Sequence, residues 1–468
     1  MGFADYLILF SLGIIAPLNG ILFWSSSKPK KNIVLGVTFP TEALSDRTIN
    51  LIVKRFRINL IIAEVFLLFA LLMIFVLAEY FSVRLTLALV WMIAAIVLPI
   101  FLFAKANTEL KELKLEEGYR SPLQNLRVVD LKTRQNFEKP RSVKWFLPPL
   151  IVSLLPVILA KFILPKEIVR DFSIMCSMFS FMIVLSMLLY PLIFRQRMDI
   201  LGYESEKNAE LSRIRLQGWT TVWFGIAWLS APLGLLFMFF YKSETAFLII
   251  LCVYMAAMLV LAILVEMGVR SRQEKITLAM GEDYVDEDVN WIYGLFYHNP
   301  RDRHVLINDR VGMNMSVNMA NFWGKVIMGA TVLILLAMPF FGVYLIKQEL
   351  SPRAAGFDDV SVSFKHVSER FNINYEDILK LELLEELPRS MRVYGTGMDE
   401  LLEGKFTVEG IGRATLSLNP QIPPYIMIKT EDKIEIFNLM SSEDTRGFFE
   451  RMERAYLEFK TQSAKKAA

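Results

Sequence analysis

Residues 59–80 read NLIIAEVFLLFALLMIFVLAEY, and after a four-residue turn residues 85–104 read LTLALVWMIAAIVLPIFLFA. Each run is close to the roughly 20 residues that an α-helix needs to cross about 30 Å of hydrocarbon. A tight hairpin of two membrane spans is the direct reading. Working outward, six more runs of the same kind lie at about 3–24, 146–164, 172–194, 219–241, 245–268 and 323–346. A buried helix of a soluble protein can imitate one such run, but the polar chain here is too short to bury eight. The composition agrees: 54% of the 468 residues are hydrophobic, whereas a soluble protein of this length carries a more charged surface. The expected class is an α-helical polytopic membrane protein of about eight transmembrane helices.

Basic residues fall in alternate connections. The four long loops, 25–58, 105–145, 195–218 and 269–322, hold 28 Lys and Arg, against 4 in the three short turns. By the positive-inside rule these four loops are expected in the cytoplasm and both termini outside. Met1 to Tyr6 carries no positive charge, so the first span is not expected to be a cleaved signal peptide. Cys176 and Cys252 both fall inside spans and read as packing residues rather than a disulfide or metal pair. The net charge of +3 says little about partners, and no basic domain with interleaved aromatics points to nucleic acid.

The spacing of spans admits a duplication. A single span, a long loop, a hairpin of two, a longer loop and a fourth span occur twice, which would make a 4+4 parallel repeat about an axis along the membrane normal. Coincident loop lengths explain the same order equally well. In the first loop, Asp46 can cap a helix in which Ile49, Leu51, Ile52 and Phe56 recur among Lys54, Arg55 and Arg57. Two readings stay open: a helix lying on the inner leaflet, or an extension of the second span.

From about residue 358 the chain changes in kind. Segments such as Ser361-Val362-Ser363-Phe364, Ala414-Thr415-Leu416-Ser417-Leu418 and Tyr425-Ile426-Met427-Ile428 alternate with period two between turn residues. Ser441 and Ser442, with Glu443 and Asp444, then open an amphipathic helix with Phe448, Phe449, Met452, Tyr456 and Phe459 on one stripe. About seven short strands and one helix predict a small β-barrel closed by a helix over 351–468, following a transmembrane domain over 1–350.

That pattern resembles the pleckstrin-homology-like (PH-like) domains of bacteria, on Leu387-Pro388, Gly395-Thr396-Gly397, Gly404-Lys405-Phe406 and Pro423-Pro424-Tyr425-Ile426. In the membrane part, Trp291, Gly294, Tyr297, Asn299, Pro300 and Asp302 fit a W-x-x-G-x-x-Y-x-N-P-x-D signature, and Leu35-Gly36-Val37-Thr38-Phe39-Pro40 fits an early F-G-V-x-x-P element. Both resemble a Gram-positive polytopic membrane family of uncharacterised activity, similar in layout to the Sdp-type toxin-immunity proteins. The chain departs from the signature at Arg303, where Pro is usual, and at Asn314-Met315, where Gly-Trp is usual.

Charged residues within spans are candidate functional groups. Glu64 and Glu266 are the two, and each could instead pair near the interface, with Arg57 and Arg270 respectively. Asn19 and Lys161 read as interfacial. His298 and His304 flank Asp302, but a turn built on Asn299-Pro300 accounts for them without a metal. Gly281-Glu282-Asp283 with Asp286, Glu287 and Asp288 lacks calcium-loop spacing and reads as a solvated acidic loop. In the tail, Arg389, Arg392 and Lys405 could converge on an anion. No nucleophile elbow, zinc-protease helix, phosphate loop or dinucleotide fingerprint occurs, so no catalytic residue, cofactor or metal is expected. The resemblance implies a non-enzymatic envelope protein that senses, or gives immunity to, an extracellular agent such as an antimicrobial peptide. Its expected partners are the lipid bilayer and an extracellular peptide or envelope protein. The alternative is a proton-coupled secondary transporter using Glu64.

Overall fold

The computed structural model describes residues 3–30, 32–119, 123–124, 141–195, 205–241, 243–278, 285–310 and 315–467. Among the described residues ten α-helices make up the N-terminal part. They are α1 (Phe3–Gly13), α2 (Ile15–Ser26), α3 (Arg47–Leu77), α4 (Phe81–Glu116), α5 (Leu147–Ile163), α6 (Lys166–Leu189), α7 (Ser205–Ser230), α8 (Leu233–Phe239), α9 (Glu244–Leu278) and α10 (Phe322–Leu350). They supply eight stretches long and apolar enough to cross a membrane, beginning with Asp5–Ser26 and ending with Phe322–Leu350. Two stretches are broken for chemical reasons. Pro17, in the first turn of α2, has no N–H for the carbonyl four residues back, so α1 and α2 part at Ile14. Pro232 separates α7 from α8 in the same way.

Pro99 does not break α4, because another side chain repairs the damage. Its missing N–H frees the carbonyl of Ala95, and Asn19 Nδ2 of α2 donates to that oxygen at 3.2 Å. Asn19 therefore acts between helices rather than at an interface. The helices fall into two groups. α1–α4 and α10 pack together, with Leu67, Leu71, Phe75, Ala88, Trp91 and Ala95 in one core. α5–α9 form the second, around Ala160, Phe172, Cys176, Leu233 and Phe237. The eighth stretch thus packs on the third, while the fourth packs on the fifth. This grouping does not follow a division into spans one to four and five to eight.

Four helices run well beyond their apolar windows at one end of the bundle. α3 begins at Arg47, α7 begins at Ser205, α4 continues to Glu116 and α9 continues to Leu278. Asp46 caps α3, its Oδ1 accepting from Thr48 N at 2.6 Å and Ile49 N at 3.2 Å. Residues 47–58 are accordingly an extension of the second span, not a separate helix on a leaflet. Ile49, Ile52, Val53 and Phe56 are buried against the first loop and α4, whereas Leu51 is exposed.

Short strands decorate that same end: β1 (Ile33–Val34), β2 (Val37–Thr38), β3 (Leu123–Gln124), β4 (Val285–Asp286), β5 (Trp291–Ile292), β6 (Phe296–Tyr297), β7 (Leu306–Asn308) and β8 (Met315–Val317). The C-terminal domain follows α10 at the opposite end. It holds β9 (Ala354–Phe357), β10 (Ser361–Lys365), β11 (Arg370–Asn374), β12 (Lys380–Leu384), β13 (Ser390–Gly397), β14 (Leu402–Val408), β15 (Gly412–Leu418), β16 (Tyr425–Lys429), β17 (Ile434–Phe437) and the helix α11 (Ser442–Ala467). Nine strands form two sheets, ordered β11-β10-β9 and β12-β16-β17-β15-β14-β13, where a single barrel of about seven strands was expected. β16 lies inside the larger sheet, and both of its faces are covered. Ile426 and Ile428 meet Val362, Phe364 and the α11 residues Phe448 and Met452, while Tyr425 and Met427 meet Phe406 and Leu416. Gly395 and Gly404 are cross-strand partners at φ +122° and +126°, and a Cβ on either would fall 2.8 Å from the other's Cα. That close approach of β13 and β14 explains why both positions are glycine.

Candidate functional site

The most densely built polar site lies at the end of α4, where the two loops that carry the family-like motifs meet. Leu35 and Gly36, at φ +46° and +76°, form the two-residue turn of the β1–β2 hairpin. Tyr293 and Gly294, at φ +52° and +70°, turn the β5–β6 hairpin. The two turns abut. A Cβ on Gly294 would lie 2.5 Å from Asn107 Nδ2, and that nitrogen donates to Leu35 O at 2.7 Å. Asn107 is fully buried, so one α4 side chain is clamped between the two motif elements.

Asp288 is the centre of the adjoining charge network. Its Oδ2 accepts from Thr38 N at 2.9 Å and Lys114 Nζ at 2.8 Å. Its Oδ1 accepts from Thr38 Oγ1 at 2.8 Å and Arg310 Nη1 at 2.6 Å. Lys114 also binds Asp286 Oδ2 at 2.6 Å, and Lys111 Nζ donates to the carbonyls of Asp288 (3.2 Å) and Trp291 (2.7 Å). Arg310 reaches Gly36 O at 2.9 Å and lies 5.0 Å above the Trp291 ring. Burial by itself would raise the Asp288 carboxyl. The charges and hydrogen bonds of Arg310 and Lys114 outweigh it and hold the group at about 2. The acidic stretch is therefore not a solvated loop where it is described: Asp286 and Asp288 are buried and ion-paired, while Gly281, Glu282 and Asp283 lie outside the described residues.

The signature residues are architectural. Trp291 and Tyr297 are buried and stack edge to face at 5.2 Å. Tyr297 OH donates to Asp302 Oδ2 at 3.1 Å and receives Asn299 Nδ2 at 3.1 Å. Asn299 Oδ1 accepts from Arg301 N at 2.9 Å across the Pro300 turn. Asn318, wholly buried in the segment that leads into α10, holds the loop by donating to the carbonyls of Asn299 and Asp302, both at 3.0 Å. His304 Nδ1 meets Asp302 Oδ1 at 2.8 Å, and no cluster of three metal-ligating side chains occurs among the described residues. Asn314 lies outside the described residues, and Met315 begins β8.

The other candidates separate cleanly. Glu266 Oε1 accepts from Arg270 Nε at 2.7 Å and its Oε2 from Trp219 Nε1 at 3.3 Å. Glu64 lies against Gly20, and among the described residues neither of its buried carboxyl oxygens has a hydrogen-bond partner. Arg57 does not reach it. That guanidinium binds Ser27 Oγ at 2.7 Å and covers Trp24. Arg392 lies along β13, its Nη1 3.3 Å from where a Cβ on Gly397 would stand, while Lys405 pairs with Tyr394 beyond a bulge in the ladder. Cys176 and Cys252 are both free.

At the far end of α4 the C-terminal domain is seated on the helices. Glu349 Oε2 accepts from Ser82 N at 2.9 Å, and Arg84 pairs with the buried Asp5 at 3.1 Å. Met398 and Leu401, in the turn between β13 and β14, pack with Leu345, Phe81 and Leu85. Sequence reasoning missed both polar clusters. Asn107, Lys111 and Lys114 gave a usable signal, since they stand at i, i+4 and i+7 on one helix face.

Two sheets, a closing helix and a bundle of apolar helices define the class: an eight-stretch helical protein carrying a C-terminal PH-like domain. A family model described as a bacterial PH domain matches residues 357–456. No curated protein and no solved structure matches the chain.

Proposed function

We propose that this chain is a non-enzymatic multi-pass protein of the bacterial cell membrane that senses, or confers immunity to, an extracellular agent such as an antimicrobial peptide. One observation carries the reading: the PH-like domain sits at the end of α4 opposite the loops rich in Lys and Arg. With those loops in the cytoplasm, the domain and both termini lie outside, where a peptide or an envelope component is the available partner. The seating of Met398 and Leu401 on Phe81 and Leu85 supports a domain that acts together with the helices rather than as a tethered module. Deleting residues 357–456 is expected to remove protection. Unchanged sensitivity of the deletion strain across a broad panel of antimicrobial peptides overturns the reading.

A second reading, a proton-coupled secondary transporter, is favoured by Glu64, whose carboxyl oxygens are buried without a hydrogen-bond partner among the described residues. Proton-coupled uptake in reconstituted vesicles, lost in Glu64→Gln, supports it. Uptake that Glu64→Gln leaves intact removes it.

A further inference from the structure

The last turn of α10 is plugged into the PH-like domain through a polar cluster that neither reading uses. His366, in the turn between β10 and β11, and Glu403, on β14, have side chains almost wholly hidden from solvent. His366 Nδ1 lies 2.8 Å from Glu403 Oε1, and Nε2 lies 3.1 Å from the carbonyl oxygen of Ser351, the C-cap of α10. Both neighbours are acceptors. A neutral imidazole offers a single N–H, so both contacts are hydrogen bonds only while one further proton is held between ring and carboxyl. The carboxyl is tied in turn to the same helix and turn. Glu403 Oε2 accepts from Gln348 Nε2 at 3.1 Å, and Oε1 accepts from Ser368 N at 3.2 Å and Glu369 N at 3.1 Å. Gln348 also binds Ser368 Oγ and, through its Oε1, Thr396 Oγ1.

We propose that His366 and Glu403 form a proton-operated latch: with their shared proton present the end of α10 is held in the PH-like domain, and loss of that proton loosens the domain from the helix ends. Without it, either the Ser351 carbonyl loses its donor or the carboxylate faces a nitrogen lone pair at 2.8 Å, in a site closed to water. Among the described residues, Arg353, on the segment leaving α10, and Glu369, on the same turn, also interact with the Glu403 charge, and Lys405, Lys433 and Glu435 surround Glu369. Arg353 is occupied by the carbonyls of Asn438 and Leu439. The sign follows from the geometry. The latch is closed in acid and opens as pH rises.

The test uses the full chain in lipid nanodiscs with ¹⁵N-labelled histidine. Only three histidines are present, so His366→Gln assigns the His366 ring signals by their loss. The expected result is a ring that carries both protons in acid and loses one as the pH is raised. Over the same interval the exchange of the Ser368 and Glu369 amides, corrected for the chemical rate, is expected to rise with pH while the latch still holds the proton and to level off once the proton has left. His366→Gln and Glu403→Gln are each expected to make that corrected exchange independent of pH. A ring that does not titrate, a ring that titrates with no change in exchange, or a pH dependence that survives in His366→Gln overturns the latch. The wild-type measurement stands alone if either variant fails to fold.

Discussion

Gly36 and Gly294 approach so closely that a Cβ on Gly36 would stand 2.8 Å from the Gly294 Cα. The two residues are 258 positions apart, yet each closes its own hairpin at positive φ and each is seated against Asn107. Gly294→Ala therefore meets two penalties, a left-handed backbone and a clash with the Asn107 amide. Gly410→Ala is the control, since Gly410 has a similar φ of +76° and open space around it. The control is expected to lose about 1–2 kcal/mol and Gly294→Ala clearly more, measured by denaturant unfolding in micelles. Equal losses at the two sites would show that the turns do not press on each other.

Asp288→Asn keeps the shape of the side chain and removes its charge. Lys114 and Arg310 are then left buried with an incomplete partner, which is expected to cost roughly 3–5 kcal/mol. The network also dictates an acid response. The folded-state carboxyl is held at about 2, below the unfolded value near 3.9, so its contribution is complete above about pH 4 and is lost as pH falls toward 2. Stability of the wild type is expected to decline through that window, with a shallower decline in Asp288→Asn. Parallel acid curves for the two proteins would refute the assignment.

Asn19 and Pro99 should be energetically coupled through the carbonyl of Ala95. Asn19→Leu in the wild type orphans that oxygen and is expected to cost about 1–3 kcal/mol. In a Pro99→Ala background residue 99 regains an N–H for the same carbonyl, and the cost of Asn19→Leu should shrink. Strict additivity in this double-mutant cycle would argue against the repair.

Gly342 lets α10 cross α4 at close range, since a Cβ there would lie 2.4 Å from Thr86 Oγ1 and 2.9 Å from the Thr86 Cα. Gly342→Leu is expected to push α10 outward and unseat Met398 and Leu401, raising protease cleavage between residues 397 and 402 at least severalfold. Because backbone as well as side chain is crowded, Thr86→Ala should not restore protection. Full rescue by Thr86→Ala would show that only the hydroxyl is in the way.

The apolar windows placed all eight long stretches, because hydropathy reports the part of a helix that must avoid water. It says nothing of where the helix stops. Arg47–Arg57, Lys111–Glu116, Ser205–Gly218 and Arg270–Leu278 are polar continuations of helices, and their charges read as loop. Asp288 was misread for a related reason. Its partners Thr38 and Lys114 stand 250 and 174 residues away, and its own neighbours in the chain are acidic. In the C-terminal domain, period-two alternation marked strands such as β10, β15 and β16 but not β9, β12 or β13, and the close approach behind glycines 395 and 404 was not legible before the pairing was known. The division into two sheets depends on which strands pair, and alternation carries no record of partners.

α4 is the one helix described as touching both the Asp288 network and the seat of the PH-like domain. Asn107, Lys111 and Lys114 engage one end, and Ser82, Leu85 and Thr86 the other. Its 36 residues make a rod of about 54 Å, interrupted only by the proline at 99. A rod gripped at both tips cannot lean without dragging one grip along. The two faces of the molecule thus share a single lever, with Asn19 bolted beside its one weak joint.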